Sequence, residues 1–193
     1  MVKIVDVLLG RTKPIQANLD NLFGLSGAFI TLEASSSLVP SGEAGVCYKP
    51  MAGQPFVKTT EEIEGLLTVG GDPATVRQEP DQFGYHWIVL SGNDPQTLVT
   101  QCHMVNTSLA EEGYGPQLLC SVFGFGPKAA AGTASTYLVY LYKRGTFYPF
   151  VPLGGHERRD QEAELVLADV LGNDLKIEKE KERWMALWGL PVH

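Results

Sequence analysis

Apolar positions along this chain recur with two different periods, and the periods divide it into elements. The clearest helical period follows Asp94, where Leu98, Cys102, Val105 and Leu109 recur at steps of four, three and four and line up as one stripe. Asp94 suits the N-cap, Pro95 the first helical position and Gly113 the C-cap. A second helix is predicted over residues 157–171, with Ala163, Val166, Leu167, Val170 and Leu171 facing inward and Gly172 closing it. Shorter helices are predicted in three places. Val2, Val5, Leu8 and Leu9 share a face before Gly10 and Pro14; residues 19–25 follow Asn18 as a possible cap; and a helix capped by Thr59 or Thr60 runs to about Leu67, with Glu61, Glu62 and Glu64 at the positive end of its dipole.

The strand signals come in runs. Residues 85–90 form a buried strand preceded by a turn over 81–84, and residues 117–125 form another. Residues 137–142 are apolar or aromatic on both faces, which predicts a place at the centre of the sheet. Arg144-Gly145 between two aromatic runs predicts a tight hairpin turn, and Pro149 and Pro152 make the returning strand, 147–151, an edge. Val46, Cys47 and Tyr48 suggest a short strand after a loop over 35–42, and residues 28–34 fit strand or helix. The charge run over 178–183 reads as one face of a helix whose other side carries Trp184, Leu187 and Trp188. Strands in runs with helices between the runs predict an α+β fold on a mostly antiparallel sheet. The 193 residues fit one domain, with an N-terminal helix and linker over 1–14 and a helical tail over 174–193.

Composition narrows the function. The net charge of −7, from 15 basic and 22 acidic residues, offers no general footprint for nucleic acid. The charge is uneven: residues 60–115 carry nine acids and one base, Arg77, whereas 116–156 carry no acid and three bases, Lys128, Lys143 and Arg144. The three cysteines, Cys47, Cys102 and Cys120, have no CxxC spacing, which points to small buried hydrophobes rather than a disulfide scaffold or a zinc site. No secretory leader opens the chain and no apolar run approaches the roughly 20 residues of a membrane span, so an intracellular soluble protein is expected. The amphipathic start leaves two readings, a helix docked on its own domain and a peripheral membrane contact.

Candidate chemistry is sparse. No histidine pairs with another at HxxxH or HExxH spacing, Gly124-Phe125-Gly126 lacks the third glycine and following helix of a dinucleotide fingerprint, and no phosphate loop or nucleophile elbow is present. The expectation is therefore no catalytic residue, no metal and no cofactor. The most distinctive segment is Tyr142-Lys143-Arg144-Gly145-Thr146-Phe147-Tyr148, two adjacent cations on a turn between aromatics. It reads as a partner- or anion-binding hairpin or as a solvated tip. The alternative is an enzyme or small-ligand binder with a site assembled from distant residues such as His86, Cys102, His103 and His156.

Four stretches carry a family resemblance: Leu8 to Pro14 (LGRTKP from Leu9), Val105 to Leu109, Gly115 to Cys120, and the long string Val139 to Phe150 containing LYKRGTFYPF. In these the chain resembles the PspA-associated protein PspAB family, nearly end to end. The resemblance implies a non-enzymatic accessory or regulatory role beside the phage-shock protein PspA, a coiled-coil membrane remodeller of the envelope-stress response. It also implies a cytoplasmic location, peripheral to the inner face of the membrane, with PspA or another stress-response protein as partner.

Overall fold

The computed structural model describes residues 18–51, 75–130, 135–154 and 157–193, together with helical residues 61–63, 65 and 67. The predicted helix at the start of the chain, its Pro14 boundary, the Thr59/Thr60 cap and His156 lie outside the described residues. Asp94 caps its helix as its position predicts. Its carboxylate accepts from the backbone N–H of Gln96 and Thr97 at 3.2 and 3.0 Å, and Pro95 opens the turn. Among the described residues that helix is preceded by α1 (Leu25–Ser36), reached through a 3-10 turn over Leu19–Gly24, by strands β1 (Leu38–Tyr48), β2 (Thr75–Pro80) and β3 (His86–Ser91), and by the helical residues 61–63, 65 and 67. The Asp94-capped helix is α2 (Pro95–Leu109), and Gly113 follows it at φ 88, the left-handed conformation a helix exit favours. Strands β4 (Leu118–Pro127), β5 (Thr136–Leu141) and β6 (Thr146–Phe150) come next, then the short pair β7 (Pro152–Leu153) and β8 (Arg158–Arg159), and helix α3 (Gln161–Val170).

Strands β1 to β6 form one antiparallel sheet in the order β2-β3-β1-β4-β5-β6, so the fold is α+β as expected. β6 is the edge and β5 lies between β4 and β6, but the centre of the sheet is β1 beside β4, not residues 137–142. The cause is the length of β1. Leu38 to Pro40 pair with Phe125 to Pro127, and a register shift between Pro40 and Ala44 absorbs the residues that read as a loop. Residues 28–34 fall within helix α1.

Alternation along the strands gives the sheet two apolar faces. Val46, Tyr48, Ile88, Phe123, Leu138 and Tyr140 point to one side, where they meet the stripe of α2 (Leu98, Cys102, Val105 and Leu109) and Leu25, Ala28 and Leu32 of α1. Buried Asn106 pins α2 to the sheet, donating from Nδ2 to the Cys102 carbonyl at 2.7 Å and to Ser121 Oγ of β4 at 2.9 Å. Leu167 of α3 and Leu171 of the 3-10 turn that follows it join this core, but Val166 is exposed and Glu164 is buried in its stead. The carboxylate explains the exchange, because Glu164 Oε1 accepts from Arg159 Nε at 2.8 Å and from the Val151 N–H at 2.9 Å.

The second face carries Cys47, Trp87, Val89, Val122, Val139 and Phe150. Among the described residues no regular helix lies across it, and α3 touches it through Ala168 alone. Residues 175–193 cross it as an extended strap whose one helical piece is a 3-10 turn over Lys181–Arg183, so the predicted tail helix is absent. Trp184 and Val192 are buried there, with Leu187, Trp188 and Leu190 packed against the same face. Each large apolar side chain moved from water in this way contributes about 1.5–3 kcal/mol, enough to hold an irregular segment down.

Candidate binding site

The strap is fastened at both ends and in the middle. At its start the Phe147 N–H donates to the Lys176 carbonyl and the Glu178 N–H to the Phe147 carbonyl, both at 2.8 Å, so the strap adds a short parallel bridge to edge strand β6. The buried Glu178 carboxylate accepts from Arg144 Nε at 2.9 Å, from Arg144 Nη2 at 3.1 Å and from Thr146 Oγ1 at 2.8 Å. The Arg144 bonds, with Thr146 and the Glu180 N–H behind them, hold the Glu178 carboxyl down to about 2. In the middle, Tyr148 Oη donates to the Met185 carbonyl at 2.9 Å and Arg159 Nη1 to the Trp184 carbonyl at 2.6 Å. At the far end Arg77 Nη2 reaches the Pro191 carbonyl at 2.6 Å, and the His193 N–H donates to Glu43 Oε2 at 2.7 Å. Glu43 also accepts from Arg77 Nη1 at 2.8 Å, so one carboxylate joins β1, β2 and the strap. Gly45 of β1 is required beneath that end, since a Cβ there would stand 2.9 Å from Val192 Cγ2 and 3.2 Å from the Trp87 ring.

Between these fastenings the strap stands off the sheet and leaves a half-open cavity of about 660 Å³. Its floor includes Cys47 and Cys120, register partners on the two central strands. Both thiols are buried and unpaired by any disulfide. Hydrogen bonding to Cys120 and then burial push the Cys47 thiol well above its ordinary range, so it stays neutral. Trp87 and Tyr148 from the sheet and Leu187 and Trp188 from the strap supply the walls. The rim carries three exposed apolar side chains, Phe83 (59%), Tyr85 (39%) and Met185 (65%), beside Lys143 and Arg144 on the β5–β6 turn.

The turn is the one predicted. Gly145 takes φ 64, and Asn21 Nδ2 donates to its carbonyl at 2.7 Å. The five residues singled out around it do not share a surface. Lys143 and Arg144 are exposed and line the cavity with Tyr148, whereas Tyr142 and Phe147 are buried in the helix-side core, as the period of two requires. The two cations also differ. Arg144 is committed to Glu178 and to Glu180 Oε1 at 2.7 Å, while Lys143 has no ion pair among the described residues. The described members of the alternative set, His86, Cys102 and His103, do not converge. Cys102 is buried under α2, His103 Nε2 lies 3.6 Å from Asp20 on the helical side, and His86 packs against the Tyr48 ring. Among the described residues no group of three His, Cys, Asp or Glu side chains could hold a metal ion, and no helix is long and apolar enough to cross a membrane.

Fold and site together define an α+β protein with a strap-covered cavity. Comparison with known families places the chain within one of them. The model of PspA associated protein B matches residues 2–192, nearly the whole length, and the chain belongs to that family. No curated protein and no solved structure matches it.

Proposed function

We propose that this chain is a non-enzymatic accessory protein of a PspA-type envelope-stress system, acting by contact with a partner protein. The family's description supplies the link to PspA. The observation that carries the mode of action is the gathering of Phe83, Tyr85 and Met185 with the uncommitted Lys143 around one opening. Exposed apolar side chains grouped beside a charge are the usual make-up of an interaction surface. In this reading Lys143 meets a carboxylate of the partner and the three apolar groups pack on its apolar stripe. Arg144, Tyr148, Tyr142 and Phe147 support the turn, the first two from the strap side and the last two from the helix-side core. The work is done in the cytoplasm, at the inner face of the membrane where a PspA-type partner would sit.

Co-purification with a tagged chain from a cell holding both genes tests this. A PspA-family protein should be captured by the unaltered chain, and Lys143→Glu with Met185→Ser should reduce capture roughly tenfold or more. Equal capture by a variant of unchanged circular dichroism would overturn the proposed surface.

A further inference from the structure

The cavity behind that rim has features a protein partner does not account for. Small-molecule sites measure about 300–1,000 Å³ and are walled mainly by apolar groups with a few placed polar ones. This cavity holds about 660 Å³ and lies between a sheet and an irregular strap. The polar atoms in its walls are largely committed to the protein itself. Asp81 accepts from the N–H groups of Phe83 and Tyr85 at 2.8 and 2.9 Å and from Trp87 Nε1 at 3.1 Å. Tyr148 Oη is spent on the Met185 carbonyl, and Arg144 on Glu178 and Glu180. The Cys47–Cys120 pair forms a soft floor, and the setting of Cys47 keeps its thiol protonated. What remains facing the cavity is mainly aromatic and aliphatic surface, with Lys143, the one cation without an ion pair among the described lining residues, at the opening.

We infer that the cavity binds a single-chain amphiphile with one anionic head, a free fatty acid. Its hydrocarbon tail lies along Trp87, Leu141, Leu187 and Trp188, and its carboxylate pairs with Lys143 at the rim. The occupant is set by three features of the site. An interior whose polar groups are mostly bonded within the protein favours hydrocarbon over sugars or nucleotides. Among the described lining residues Lys143 is the one cation without an ion pair, which matches one carboxylate. The exposed Phe83, Tyr85 and Met185 give the chain an apolar approach. This inference does not rest on the partner reading, and either can fail alone.

Titration calorimetry of the purified full chain with decanoate, dodecanoate and tetradecanoate, each below its micelle threshold, reads the site directly. One-to-one saturable binding is expected, tightening on the order of tenfold for each two methylenes added. Dodecanoate should bind several-fold more tightly than dodecanol, and Lys143→Met, a change at an exposed side chain, should bring the two together. Ala186→Phe, which fills the cavity from the irregular strap, should abolish binding while circular dichroism stays unchanged. Four results would each overturn the inference: no saturable binding by any chain length, no dependence on chain length, the same carboxylate preference in Lys143→Met, or undiminished binding by a folded Ala186→Phe. Binding to phosphatidylglycerol vesicles without binding to the free acids would also overturn it, in favour of a lipid surface as the ligand.

Discussion

Glu178 and Gly45 show how single residues hold the strap. Glu178 is a buried carboxylate whose oxygens are shared among Arg144, Thr146 and the Glu180 N–H. Its removal leaves the Thr146 hydroxyl and a strap amide without their acceptor, so Glu178→Ala should cost about 2–3 kcal/mol in urea unfolding. The same contacts set a pH dependence. The folded-state value is about 2 against an ordinary 4.5, so the stabilisation is complete above the ordinary value and is lost as pH falls from there towards 2. Trp184 and Trp188 ride on the strap, so tryptophan emission should shift across that acid interval. A transition centred above pH 5 would mean that other groups control the strap. Gly45 works by absence of a side chain. Gly45→Val must push Val192 or the Trp87 ring aside and should destabilise by about 1–3 kcal/mol, with the far end of the strap exchanging amide hydrogens faster.

At the scale of elements, what the sequence could show was set by whether the signal was local. The stripe Leu98, Cys102, Val105 and Leu109, its Asp94 cap and the Arg144-Gly145 turn depend on neighbours within a few residues, and they appear where they were read. The first half of β1 carries Pro40, Ser41 and Gly42, local signs of a loop, and becomes strand because β4 is there to pair with it. The strap shows the same override in a helical pattern. Trp184, Leu187 and Trp188 have helical spacing, yet the apolar second face of the sheet and three carbonyl acceptors used by Tyr148, Arg159 and Arg77 stabilise an extended path. That the aromatic side of the tail must be buried was legible, but its destination was not. Beyond Lys143, Arg144 and Tyr148 of the β5–β6 hairpin the cavity had no local sign, because the rest of its lining comes from β1, β3, β4, β5, the β2–β3 turn and the strap. Asn106, read only as a family-like position, proves to link α2 to Ser121. Asn106→Leu, which removes both bonds and leaves the buried Ser121 hydroxyl without its donor, should cost about 1–3 kcal/mol by thermal or urea unfolding and leave the strap-side surface unaltered.

The whole molecule is a sheet with unlike covers. One face is closed by α1 and α2 in a continuous apolar core, while the other is closed by an irregular strap that leaves a cavity and an exposed apolar rim. That asymmetry is why the functional proposals, contact with a PspA-type partner among them, fall on the strap side. The measurement that tests this most directly is amide hydrogen exchange of the full chain with and without a PspA-family protein. The account predicts added protection over the 81–86 turn, the β5–β6 turn around Lys143 and the strap over 184–190. Protection confined to α1 and α2, or no change on mixing at concentrations where the two co-purify, would contradict it.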